Sequence, residues 1–202
     1  MRESNEMAAK HVSIQFAQRF CVFPTTTTLE QLFAYTHPQQ WLLKVVTKNA
    51  MLQHADQFVA ADIPFVFDPG QQLPRFDGAE LRKFVDQASW VTVNDYEGKM
   101  LSDRTGWSME EISRRVRGLF VTIGAEGSEV WADGSKTLVP PVKANAVVDP
   151  TGCGDAYRGA LLFGLERGWS LTRCAAAGNH VGSIKIAQRG PQNYQFDASQ
   201  II

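Results

Sequence analysis

From residue 49 onward, apolar residues recur first at helical spacing and then in short unbroken runs, and this alternation confines the chain to one class of architecture. Leu52, Ala55, Phe58 and Val59 share a predicted helix face, and Ile63–Phe67 follow as an apolar strand ending at Asp68-Pro69-Gly70. Leu81, Phe84, Val85 and Ala88 repeat the helical spacing before a second strand, Trp90–Val93. A short helix is predicted over Tyr96–Leu101 and another over Ser108–Arg117, opened by a capping box of Ser108 and Glu111. Leu119–Ile123 is the third strand. Helices alternating with continuous apolar strands predict an α/β fold, with a mostly parallel sheet covered on both faces.

The alternation then breaks. Gly127–Ala132 and Lys136–Pro140 flank Asp133-Gly134 as a predicted hairpin at one sheet edge. Two helices close the chain, over roughly 153–167 and 171–187, the second rich in small residues. Residues 1–44 carry weaker signals: a strand near Phe20–Phe23 and a helix through Leu29–Tyr35. The domain reading is an uncertain N-terminal segment, 1–45, followed by one α/β region, 46–202.

A formal net charge of -1 and 20% charged residues argue against an electrostatic nucleic-acid binder or a membrane-surface protein. Cys21, Cys153 and Cys174 are far apart and form no C-x-x-C pair, so neither a disulfide framework nor a zinc site is expected. Reduced thiols and the lack of a signal-peptide pattern predict a cytoplasmic location. His11, His37, His54 and His180 have no partners at metal or triad spacing.

The segment that carries chemistry is Asp149-Pro150-Thr151-Gly152-Cys153-Gly154-Asp155, directly before an amphipathic helix. Gly152, Cys153 and Gly154 can turn backbone N–H groups inward at a helix N-terminus, forming a concavity for anionic oxygen. Asp155 sits beside it, placed to accept a proton from a hydroxyl that attacks a bound phosphoryl group. The bland alternative, an acidic residue that favours the helix dipole, is worth at most about 1 kcal/mol. It suits a lone G-x-G better than this ordered set. No G-x-x-x-x-G-K-[ST] loop is present, and Gly152-x-Gly154 lacks the third glycine of a dinucleotide-binding fingerprint.

Asp149–Asp155 resembles the C-terminal signature of the ribokinase-like (PfkB) family of carbohydrate and nucleoside kinases, D-T-x-G-A-G-D, with Pro150 and Cys153 as departures. The resemblance extends over about residues 46–195. Asn94-Asp95-Tyr96-Glu97 is similar to the family's N-x-x-E motif, whose Glu (here Glu97) organises magnesium through water. Thr122-Ile123-Gly124-Ala125-Glu126-Gly127 resembles the ATP-binding loop. Asn179, 24 residues after Asp155, stands where the family places an Asn near the adenine. Gly190-Pro191-Gln192 resembles the loop that, with Asp149 and Thr151, holds a monovalent cation such as K+ in some members. The implied cofactors are ATP and Mg2+. For Cys153 an inert small residue is the expected role, against the alternative of a thiol acidified by the helix N-terminus.

The resemblance implies a phosphotransferase with an alcohol acceptor. The tail Lys185–Tyr194 and the strand end Phe67–Gln71 look most like bacterial adenosine kinases, so adenosine is favoured over a free sugar. The family's substrate-contacting Asp, Gly-Gly signature and lid are not found here; residues 1–44 contain no glycine. The expectation is therefore a fold lacking its N-terminal part and lid, with self-association as a homo-oligomer a consequence of the exposed sheet edge. The competing reading is a non-catalytic nucleotide-binding remnant.

Overall fold

A computed structural model describes the backbone of residues 41–44 and all of residues 48–196. The expected strand at Phe20–Phe23 and helix at Leu29–Tyr35 lie outside the described residues. In chain order the elements are β1 (Trp41–Lys44), α1 (Lys48–Ala60), β2 (Phe65–Asp68), α2 (Gly78–Gln87), β3 (Trp90–Asn94), α3 (Asp95–Thr105), α4 (Met109–Ser113), β4 (Gly118–Thr122), β5 (Ser128–Ala132), β6 (Ser135–Val139), α5 (Cys153–Glu166) and α6 (Leu171–Ile186). The strands form one sheet in sequential order, β1 to β6. β1, β2, β3 and β4 pair in parallel. Every residue of β2 is buried, as are the first four of β3 and of β4. Because successive side chains point to opposite faces, such a run means both faces of the sheet are covered.

The described chain falls into two compact units. One holds residues 41–124 and 129–138, the other residues 125–128 and 139–196. The core of the first is aromatic. Phe84 stacks on Phe67 with ring centroids 4.5 Å apart and meets the edge of Phe76 at 5.1 Å. The second is built on α5 and α6, where Ala156 and Ala160 pack with Ala177 and Val181. A Cβ on Gly178 would lie 2.5 Å from the Tyr157 ring, so the bare backbone of α6 at this point is what admits that ring.

Several elements differ from the sequence reading. β1 was not anticipated: Trp41-Leu42-Leu43-Lys44 is too short to show a period, and only its pairing with Phe65–Asp68 defines it. In α1 the buried face is Ala50, Met51, His54, Ala55 and Phe58, while Val59 is 49% exposed. Val59 lies one residue, about 100°, around the helix from Phe58, which is enough to turn it to solvent. α3 runs to Thr105, beyond the expected Leu101, and stops at Gly106 in the left-handed region (φ 71°). α4 ends at Ser113, short of Arg117, because the chain must return to the sheet: Arg117 N–H already bonds Ser89 O at 2.8 Å beside β3. The hairpin is as expected. Asp133 and Gly134 both have positive φ (49° and 79°), as a two-residue type I′ turn requires.

Truncating Phe84 removes both ring contacts from a fully buried site. Phe84→Ala is expected to lower unfolding free energy by about 3–5 kcal/mol, read from urea denaturation of the two proteins. A loss below about 1 kcal/mol would mean that the aromatic cluster does not organise this unit.

Candidate functional site

Local sequence rules build the carboxyl ends of the parallel strands. β3 ends at Asn94, which is also the N-cap of α3. Its Oδ1 accepts Glu97 N–H at 2.7 Å, and Glu97 Oε2 accepts Asn94 N–H at 2.9 Å. The Asn-x-x-Glu motif is thus a complete capping box, which fixes both side chains at the strand end. Glu97 Oε1 accepts no hydrogen bond among the described residues. Asn94 is the register partner of Thr122, the last residue of β4. Two predicted site residues therefore meet at the sheet's carboxyl edge, where open α/β sheets bind ligands. Gly124 follows with φ 59°, and among the described residues no atom beyond its chain neighbours lies within 4 Å of where its Cβ would be. Asp68, at the end of β2, is fully buried and was not singled out from the sequence as a site residue.

The second unit holds the remaining predicted residues. Glu126 is exposed. Gly127 has φ 97°, and a Cβ there would come within 2.3 Å of Val139 O, so this glycine lets two backbones touch. Asn179 belongs to the same junction. Its Nδ2 donates to Val139 O (3.2 Å) and Pro140 O (3.0 Å), and its Oδ1 accepts from Ser128 Oγ (2.8 Å). The amide is committed to fastening the segment after β6 onto α6.

The Asp149–Asp155 segment is a tight turn running into α5. Gly152 takes φ 84°, and Pro191 O would sit 2.9 Å from a Cβ at that position. The Cys153 N–H, expected to face the concavity, is instead donated to Pro150 O at 3.1 Å and closes the turn. Gly154 N–H, in the first turn of α5, has no carbonyl one turn earlier within the helix. Arg158 covers this point: its Nη1 lies 2.5 Å from where a Gly154 Cβ would be, and 4.0 Å from Asp155 Oδ1. Asp155 keeps 43% of its side chain exposed. Burial pushes the Cys153 thiol above its ordinary range, with the Lys185 charge acting against that and Asp149 adding to it.

Asp149 is the most heavily engaged residue of the turn. Oδ1 accepts Thr151 N–H (2.9 Å), and Oδ2 accepts Gly190 N–H (2.8 Å). Its own N–H, with that of Val148, donates to Ile186 O at the end of α6 (3.1 and 2.9 Å). Its carbonyl oxygen accepts Lys185 Nζ at 2.7 Å and the Cys153 thiol at 3.9 Å. Lys185 is fully buried, and its ammonium also reaches Gln188 O at 3.2 Å. This arrangement does not fit the monovalent cation implied for Asp149, Thr151 and Gly190. All three Asp149 oxygens have donors, and a further cation about 4 Å from Lys185 would be repelled by about 4 kcal/mol at an effective dielectric of 20.

Residues 30–197, well over half of the chain, match the pfkB family carbohydrate kinases. The chain belongs to the pfkB family. It is 32% identical over 126 residues to the nucleoside kinase of Methanocaldococcus jannaschii, covering 62% of this chain and 42% of that protein. It is 35% identical over 114 residues to the ribokinase of Lactococcus lactis, covering 54% and 36%. Among solved structures, the Burkholderia thailandensis nucleoside kinase in complex with inosine superposes with a TM-score of 0.78 at 41% identity, covering 81% of this chain and 53% of that one. Arabidopsis thaliana ribokinase complexed with ribose and ATP shares the fold at TM-score 0.71 and 19% identity, over 90% and 61%. The fold is therefore the ribokinase-like layered α/β fold, and the chain spans about half the length of the relatives it matches.

Two neighbours of the Asp149–Asp155 turn were not found from the sequence. Arg158 carried a readable signal, an acid–base pair at i, i+3 on one helix face. Lys185 did not, because nothing in one sequence shows that a lysine near a helix end is buried.

The hydrogen bonds from Thr151 and Gly190 N–H groups, with Thr151's side chain and the Lys185 charge, pull the Asp149 carboxyl from 3.8 to about 2. A carboxyl lowered in the folded state stabilises the protein above its unfolded value and loses that contribution as pH falls. The melting-temperature gap between wild type and Asp149→Asn is expected to be full above about pH 5, to shrink below 3.8 and to close near 2. A gap unchanged from pH 6 to 2.5 would show that the charge on Asp149 does not hold the turn.

Proposed function

We propose that this chain is the nucleotide-binding and catalytic half of an ATP-dependent kinase that phosphorylates a hydroxyl of a nucleoside, with Asp155 as the base. The observation that carries this reading is the turn at Gly152: a left-handed residue at the N-cap of a 14-residue helix with a partly exposed carboxylate in its first turn. Helix-end dipoles stabilise charge on a transferring phosphoryl group, and a carboxylate beside them takes the proton of the attacking hydroxyl. Arg158 adds fixed positive charge next to both. Nucleoside-kinase relatives and the inosine-bound neighbour support a nucleoside over a sugar, and the resemblance of the tail to bacterial adenosine kinases favours adenosine as the acceptor. Among the described residues no cluster of three or more His, Cys, Asp or Glu could hold a metal ion. Magnesium would arrive on the nucleotide phosphates with most of its water, and Glu97 would meet that water through its second oxygen.

Asp155→Asn is expected to lower phosphotransfer by about 10²–10⁴ while ATP affinity stays nearly unchanged, because the base acts on the acceptor. Phosphotransfer at saturating adenosine, with calorimetry for ATP, measures both quantities. Equal rates in the two proteins would remove Asp155 from the mechanism. ATP binding with no transfer to adenosine, inosine or ribose would favour the second reading, a nucleotide-binding chain without turnover.

Glu97→Gln keeps the shape of the capping box but removes its charge. The magnesium concentration for half-maximal rate at fixed ATP is expected to rise severalfold, with metal-free ATP binding unchanged. An unmoved midpoint would leave Glu97 as a helix cap and nothing more.

A further inference from the structure

Lys185 is a fully buried lysine whose ammonium makes its bonds to main-chain carbonyl oxygens, those of Asp149 and Gln188. Carbonyl oxygens gathered around a positive charge are the ligand set of a hard monovalent cation. Here the charge is tethered to the last turn of α6, where the helix dipole favours it. Its field reaches the Asp149 carboxyl and the Cys153 thiol, so it acts at the mouth of the turn that opens α5. The backbone around it is stitched shut by Val148 and Asp149 N–H to Ile186 O, and by Gly190 N–H to Asp149 Oδ2.

We propose that Lys185 is a built-in cation: its ammonium replaces the exchangeable monovalent ion, holding the Asp149–Gly154 turn in its phosphate-binding shape and supplying its positive charge. Lys185 is a positioning residue, because it acts through the turn and touches no reacting atom. The proposal rests on reading that turn as a phosphate site. It makes a sharp statement about salts, namely that this chain requires neither potassium nor any other monovalent ion for nucleotide binding or for stability.

The test compares the 202-residue chain in potassium, sodium and choline chlorides at equal ionic strength, by thermal melting and by calorimetry with ATP and magnesium. Wild type is expected to give the same melting temperature and the same ATP affinity in all three. Lys185→Met in choline is expected to melt lower and bind ATP roughly 10- to 100-fold more weakly, the loss of charge-assisted hydrogen bonds. Potassium or ammonium, but not choline, is expected to restore part of both. Wild-type protein that melts higher or binds ATP more tightly in potassium than in choline overturns the proposal, and this arm needs no variant to fold. A Lys185→Met protein that folds and that no small cation improves also overturns it, because Lys185 would then be a packing residue. If wild type binds no ATP in any salt, the nucleotide reading fails, and the melting comparison still decides whether the cation has been replaced.

Discussion

The contact between the buried Lys185 ammonium and the Asp149 carbonyl is the constraint on which the Asp149–Asp155 turn depends. A buried amino group must have partners, and two carbonyl oxygens supply them. Once that contact is made, Asp149 is held at its N–H, its carbonyl and both carboxylate oxygens, by α6, by the loop after it and by the next residues of the turn. Gly152 is then left with a left-handed conformation against Pro191, and α5 starts from a fixed point. The position of Asp155 in the first turn of α5 follows from these restraints.

The carboxyl edge of the parallel strands is organised by a different economy of parts. Asn94 and Glu97 satisfy each other's backbone N–H groups, so one pair of side chains ends β3, starts α3 and presents polar atoms beside Thr122. A motif that reads equally well as a helix start and as a functional pair is, in the fold, a complete helix start. The capping geometry is what would make the functional atoms rigid. Asn179 shows the converse. Its three hydrogen bonds to Ser128, Val139 and Pro140 give it a structural task that its family position did not suggest.

Where the sequence reading succeeded, the information was local. The hairpin depends on two residues that tolerate positive φ, the capping boxes at Asn94 and Ser108 on residues three apart, and α5 and α6 on runs of matching period. Where it slipped, the deciding partner was distant in sequence. Arg117 leaves its helix because Ser89, in another connection, offers a carbonyl. β1 is a strand only because β2 lies beside it.

By itself the amino-acid sequence determined the α/β class, the glycine turn at Asp149–Asp155 and the order of the family's motifs, because each of these is written in residues close together along the chain. Only the tertiary structure decided that Lys185 is buried, that its ammonium meets the Asp149 carbonyl 36 residues earlier, and that the Cys153 N–H closes the turn and does not face outward. Burial and hydrogen-bond direction are properties of what surrounds a residue once the chain has folded, and no spacing along one sequence records them.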